Sequence, residues 1–290
     1  MKALFTVFAE ASGIRGGDLV FNIDAKTMQR MAPMMQRVLI VDQQPAPARL
    51  LTDLLRDIAP CQTWTAADPA RAMTLAQRID PHLIFVEQNP ELDGAAFTKA
   101  LRRSHLACRK APVIMITAEA TAAAIIAARD AGVHEFLRKP YTIRDLMRRI
   151  EAVTLRGRDW VEAINYIGPD RRRFNSGDYT GPLKRREDGQ PTPDLARIIQ
   201  ALKIFKSAVG AIERDPQQAL RAMRTQAADL QVAARNISNL ALSAAAASVQ
   251  RSLADADPKA LKRKDLEGYL AELWTFMSDD IQGEGASAAA

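Results

Sequence analysis

Residues 37–154 predict a doubly wound α/β domain on a five-stranded parallel sheet, and residues 191–282 predict an all-α helical bundle. Three observations carry this expectation. Short apolar runs bounded by turn residues alternate with amphipathic segments in the first region, the pattern of strands buried on both faces. Capping residues before prolines recur in the second, at Thr192-Pro193, Asp215-Pro216 and Asp257-Pro258. The stretch between them, 155–190, turns basic and rich in Gly-Pro.

The elements of the first region follow in order. "RVLIVD" is an apolar strand and "PARLLTDLLRDIA" an amphipathic helix. "CQTWTA" is a second strand, and Asp68-Pro69 caps and opens the next helix. "LIFVE", "VIMIT" and "HEFL" are further strands, each followed by a helix, the last capped at Thr142. Five strands with crossover helices imply a parallel sheet covered on both faces. Its functional crevice lies beyond the carboxyl ends of the strands.

Residues 1–36 are a short extension in which "LFTVF" and "DLVFNI" read as strands, and Asp24 caps a methionine-rich helix. Met28, Met31, Met34 and Met35 are expected to pack locally. Residues 155–190 carry a near repeat, "YIGPDRRR" and "YTGPLKRR", with eight basic residues against four acidic ones between Arg156 and Arg186. Gly-Pro disfavours regular structure, so a loop or extended linker is expected. Three helices are expected after 191. The first carries Leu195, Ile198, Leu202, Phe205, Val209 and Ile212; the second runs from Leu220 through Leu230 to Ala244; the third holds Leu266, Leu270, Leu273 and Trp274. Such stripes must pack on one another or on a partner. Residues 283–290 read as a disordered tail.

Bulk properties bound the function. A net charge of +6 over 290 residues permits acidic partners without demanding them. Cys61 and Cys108 lie far apart without metal-ligand spacing, as in a reduced, cytoplasmic protein. No stretch approaches the roughly 18 apolar residues of a membrane span, and "MKALFTVFAEASG" is a poor signal peptide.

The strand ends present a set of reactive side chains. Strand one ends at Asp42-Gln43, strand three at Glu87, strand four at Thr117, and strand five leads to Lys139-Pro140 with Phe136 just before. This order, with "PVIMITA" and "RKPY", resembles the receiver domain of bacterial two-component response regulators over Arg37 to Thr154. The resemblance implies that Glu87 occupies the position of the phosphate-accepting aspartate. It further implies that Asp42 and Gln43 occupy the acidic pair that helps hold Mg²⁺. Thr117 and Lys139 take the places of the phosphate-contacting hydroxyl and lysine, Phe136 that of the switch aromatic, and Phe136, Arg138 and Tyr141 lie on the partner face.

Two of these positions depart from the family pattern, and the loop after Glu87 is about one residue shorter than the family's "D-x-x-M-P-x-M-D-G". Glutamate advances the attacking oxygen by roughly one C–C bond, and a displacement of about 1 Å can cost about a hundredfold in a transfer that depends on positioning. Glutamine removes a carboxylate from a site that would hold a hard cation. The expectation is therefore a pseudo-receiver: not an enzyme, phosphorylation-independent, with weak or absent Mg²⁺ binding and no cofactor. Its helical region would bind a signalling partner or a second copy of itself. One alternative is a nucleic-acid or cyclic-dinucleotide module using Arg171, Arg172, Arg173, Lys184, Arg185 and Arg186, and another is a genuine phospho-switch on Glu87. His82, His105 and His134 all precede the helical region, so a histidine phosphotransfer role for that region is excluded. His134 reads as a surface residue.

Overall fold

The computed structural model describes residues 25–119, 121–171 and 192–276. Helix α1 (Ala25–Met31) and a short 3-10 turn (Ala32–Met35) lead into β1 (Arg37–Val41). There follow α2 (Pro45–Ile58), β2 (Gln62–Ala66), α3 (Pro69–Ile79), β3 (Leu83–Glu87) and α4 (Gly94–Arg103). Next come β4 (Val113–Thr117), α5 (Ala122–Asp130), β5 (Glu135–Arg138) and α6 (Ile143–Leu155). The strand order is β2-β1-β3-β4-β5, and every pairing in this sheet is parallel.

The reason is visible in the strands. Val38, Leu39, Ile40 and Val41, like every residue of β3 and β4, are buried, so neither face of the central sheet meets water. One face packs under α2 and α6 through Leu55, Phe85, Ile114 and Leu146. The other packs under α3, α4 and α5 through Ala72, Val86, Phe97 and Ala128. The caps act as the sequence implies. Asp68 accepts from the Arg71 N–H at 2.8 Å, and Thr142 with Asp145 forms a capping box. Met31 and Met35 are fully buried in the same cluster as Ile150 and Val153, so α1 and its turn complete the receiver core rather than packing only among themselves.

The segment after α6 departs from a loose linker. β6 (Trp160–Glu162) and β7 (Ile167–Pro169) form an antiparallel hairpin. Gly168-Pro169, expected to exclude regular structure, is part of it. A Cβ on Gly168 would stand 2.7 Å from the Gly132 Cα, so only glycine lets the hairpin lie against the receiver. Pro169 sits at the end of a strand that has one partner, where a missing N–H costs no ladder bond.

The helical region comprises α7 (Pro193–Ala211), α8 (Pro216–Asn236), α9 (Leu240–Ala254) and α10 (Arg263–Trp274) around one apolar core. The single long second helix expected from sequence is two. Ser238 takes a left-handed φ of 58°, and Asn239 caps α9 by accepting from the Leu242 N–H at 3.0 Å. The apolar spacing runs across this break, so periodicity alone does not show it. Ile237, Ala241 and Ala244 are consequently exposed, while Leu242, Ala245 and Ala246 enter the core. Asp257-Pro258 opens a turn, with Asp257 accepting from the Lys259 N–H, and the helix begins later at Arg263. Among the described residues, no helix is long and apolar enough to cross a membrane. The expected strands in 1–24, the Asp24 cap, the second Gly-Pro repeat and the tail lie outside the described residues.

Met35→Ala should cost about 2–5 kcal/mol, the range for truncating a buried methionine, whereas Met34→Ala, at a side chain 41% exposed, should stay within about 0.5 kcal/mol. Urea unfolding of the two variants checks whether the methionine segment belongs to the receiver core.

Candidate functional site at the carboxyl ends of the strands

A parallel sheet aligns its strand ends, and register decides which side chains meet. Glu87 pairs with Ile116, and Thr117 pairs with Arg138. The Lys139 N–H donates to the Thr117 carbonyl at 2.7 Å. Lys139 thereby follows β5 directly beside the end of β4. Its Nζ lies 2.6 Å from Glu87 Oε2 in an ion pair. Glu87 is 6% exposed, so this carboxylate is nearly out of water.

The neighbouring groups are already engaged. Asp42 Oδ1 accepts from the Gln44 N–H at 2.8 Å, closing the turn after β1. Gln43 Nε2 donates to the Glu91 carbonyl at 2.9 Å, tying the end of β1 to the loop after β3. That loop is held from within: Asn89 Oδ1 accepts from the Glu91 and Leu92 N–H groups, and Gln88 Oε1 accepts from the Ala95 N–H. Gly94 closes it, since a Cβ there would fall 2.4 Å from the Glu87 carbonyl oxygen. Thr117 Oγ1 accepts from the Glu119 N–H at 3.1 Å.

Electrostatics follow from burial. Desolvation pushes the Glu87 carboxyl above the ordinary glutamate range, Lys139 pulls it down, and the nearby Asp42 charge pushes it up again. Burial raises the Tyr141 phenol, with further upward pushes from Glu87 and Asp42, which places Tyr141 within the field of the same pocket. Among the described residues no group of three or more His, Cys, Asp or Glu side chains gathers as a metal cluster.

The structure brings Asp42, Gln43, Glu87, Thr117 and Lys139 to one end of the sheet. Phe136 is half-buried against the cluster of Leu39 and Phe97, Arg138 is exposed, and Tyr141 packs against the opposite cluster. Arg171 stands apart, paired with Asp130 at 2.9 Å and stacked 4.4 Å over the Tyr166 ring. Arg172, Arg173, Lys184, Arg185 and Arg186 lie outside the described residues.

The other end of the sheet corrects the reading of His134. Its ring is half-buried, and Nδ1 lies 3.1 Å from Arg102 NH2 and 3.3 Å from the Val113 N–H. Burial, followed by the Arg102 charge, pushes the His134 pKa well below the usual imidazole value. Arg102, 1% exposed, donates to the carbonyls of Arg109, Ala111 and Gly132. Nothing in sequence marks Arg102 or Glu162 as special; each reads as an ordinary charge on an amphipathic or basic stretch.

Residues 38–151 match the family model of the response regulator receiver domain. The probable chemotaxis protein CheY of Rhizobium etli is 34% identical over 118 residues, covering 40% of this chain and 91% of that protein. The DNA-binding response regulator MtrA of Mycolicibacterium smegmatis is 28% identical over 139 residues, which is 48% of this chain and 59% of that protein. The solved structure of the chemotaxis response regulator CheY4 of Vibrio cholerae is 27% identical, with a TM-score of 0.38, covering 41% of this chain and 98% of that one. The chain belongs to the response regulator receiver family. The bundle lies outside the residues that the family model matches.

The raised Glu87 pKa carries a signed expectation. The folded chain holds this proton to higher pH than the unfolded chain, so the glutamate lowers stability increasingly as pH rises from the ordinary value of 4.5 through the folded value. The stability of Glu87→Gln relative to wild type should therefore move in the variant's favour from pH 4.5 toward neutrality. Urea midpoints across that range check it; a drift the other way would mean that Lys139 outweighs desolvation.

Proposed function

We propose that this chain is an atypical response regulator, a non-enzymatic cytoplasmic adaptor whose receiver works without phosphorylation. The observation that carries the reading is the 2.6 Å Lys139–Glu87 pair in the buried pocket. A lysine that would otherwise meet an incoming phosphoryl group is neutralised by the residue in the acceptor position. Glu87 thereby fills part of the role of a phosphoaspartate, with one negative charge rather than nearly two.

The donor set does not fit Mg²⁺ in this reading. The cation demands near-octahedral oxygen ligands and gives up its waters reluctantly. Here the Gln43 amide is neutral and directed at the Glu91 carbonyl, Glu87 is shared with Lys139, and Asp42 accepts a backbone N–H. No step of the proposed function passes through a metal.

Output runs through protein contacts. The face of α5, β5 and α6 offers Phe136, Arg138 and Tyr141, and Ile126 of α5 is 48% exposed. On the bundle, Leu240 is 76% exposed and Val232 54%, and a partner or a second copy would cover them. Binding of nucleic acid or a cyclic dinucleotide is disfavoured for Arg171, whose guanidinium is committed to Asp130 and Tyr166.

Beryllofluoride with Mg²⁺ tests the reading by amide shifts around Thr117 and Phe136. No saturable change is expected. A saturable, Mg²⁺-dependent shift would overturn the proposal in favour of a phospho-switch on Glu87.

A further inference from the structure

The bundle does not hang from the receiver by a tether. It is docked at the far end of α4 through buried charge. Glu162 on β6 is 1% exposed and receives Arg109 of the receiver through two hydrogen bonds, at 2.8 and 3.3 Å. From the bundle, Thr225 Oγ1 lies 3.4 Å and Arg221 Nε 3.8 Å from the same carboxylate. Arg221 also donates to the Arg103 carbonyl at 3.1 Å, at the last residue of α4. Arg103 in turn pairs with Asp215, the cap of α8, at 3.0 Å. Gln218 donates to the Ala163 carbonyl at 3.1 Å. One buried carboxylate thus gathers an arginine from each side of the joint.

The same helix begins at the candidate site. Gly94 opens α4 against the Glu87 carbonyl so closely that a single added carbon would clash. A helix of ten residues is about 15 Å long and behaves as a stiff rod on this scale. Both of its ends are fixed: one by Glu87 and its loop, the other by Arg102, Arg103 and the hairpin. A shift at either end is passed along the rod rather than absorbed, because a packed interior has little room to deform.

We propose that α4 is the mechanical link between the Glu87 pocket and the helical bundle, and that Glu162 is the joint through which the bundle feels it. This regulation rests on the reading of Glu87 as the residue that sets the receiver's state. The bundle is coupled at the end of the receiver opposite the pocket, while Ile126 of α5 and Arg138 of β5 stay exposed. Removing the Glu162 charge leaves Arg109 and Arg221 without their shared partner at a buried position, which is more damaging than losing an exposed pair.

Hydrogen exchange on the full chain tests it. Glu162→Gln keeps the side-chain shape, and Arg221→Met breaks the joint from the bundle side. Each should speed exchange of the α8 amides from Ala219 to Thr225 by about tenfold, the scale of a lost charge-assisted hydrogen bond. The β3 and β4 amides should stay as in wild type and so report an intact fold. Glu87→Gln should speed the same α8 amides, and in a Glu87→Gln/Glu162→Gln double variant the two effects should fail to add. Wild-type α8 exchange in Glu162→Gln and Arg221→Met would refute the joint. Wild-type exchange in Glu87→Gln, or additive effects, would refute the link through α4. The beryllofluoride response is a separate readout, so coupling can fail while the receiver still proves inert to phosphate analogues.

Discussion

A parallel sheet buried on both faces leaves polar groups only its two ends, and this constraint organises the whole receiver. With β1, β3 and β4 buried, every charge that meets the central sheet must do so where strands stop. At the carboxyl ends stand Glu87 and Lys139; at the amino ends stands Arg102, satisfied by carbonyls and by His134. Glu87 and Arg102 are nearly dry, and a dry charge persists only with partners in place. The first arrangement shapes the candidate site. The second, through Arg102 stacked 5.3 Å from the Trp160 ring, seats the hairpin and with it the bundle.

In the proposed function, charge density rather than shape is what separates this pocket from a phosphate-accepting one. The elements expected of a receiver are in place, including the register that sets Thr117 beside the Arg138–Lys139 turn. What differs is bookkeeping of charge: an amide at position 43, and a carboxylate at position 87 long enough to reach the lysine. Gln43 has also taken on a structural task, pinning the β3–α4 loop through the Glu91 carbonyl.

The receiver was legible because its signals are local and redundant. Apolar runs fixed the strands, Asp68 and Thr142 fixed helix starts, and the residues at strand ends were named by position. The bundle was legible in its core stripe but not in its break, since Leu230, Ala234, Ile237, Ala241 and Ala244 keep helical spacing across a left-handed Ser238 although the last three are exposed. The joint was not legible at all. Trp160, Glu162 and Gly168 sit in a stretch whose composition speaks of a solvated linker, and only the fold brings Arg109 and Arg221 to the same carboxylate. Pairings between residues more than fifty positions apart leave no periodic trace in the chain.

In the proposed function the Lys139–Glu87 ion pair takes the place of phosphorylation. Its most direct measurement is the intact mass of the chain after incubation with a small-molecule phosphodonor and Mg²⁺. An unmodified chain is expected. A stoichiometric phosphoryl adduct that disappears in Glu87→Gln would contradict it.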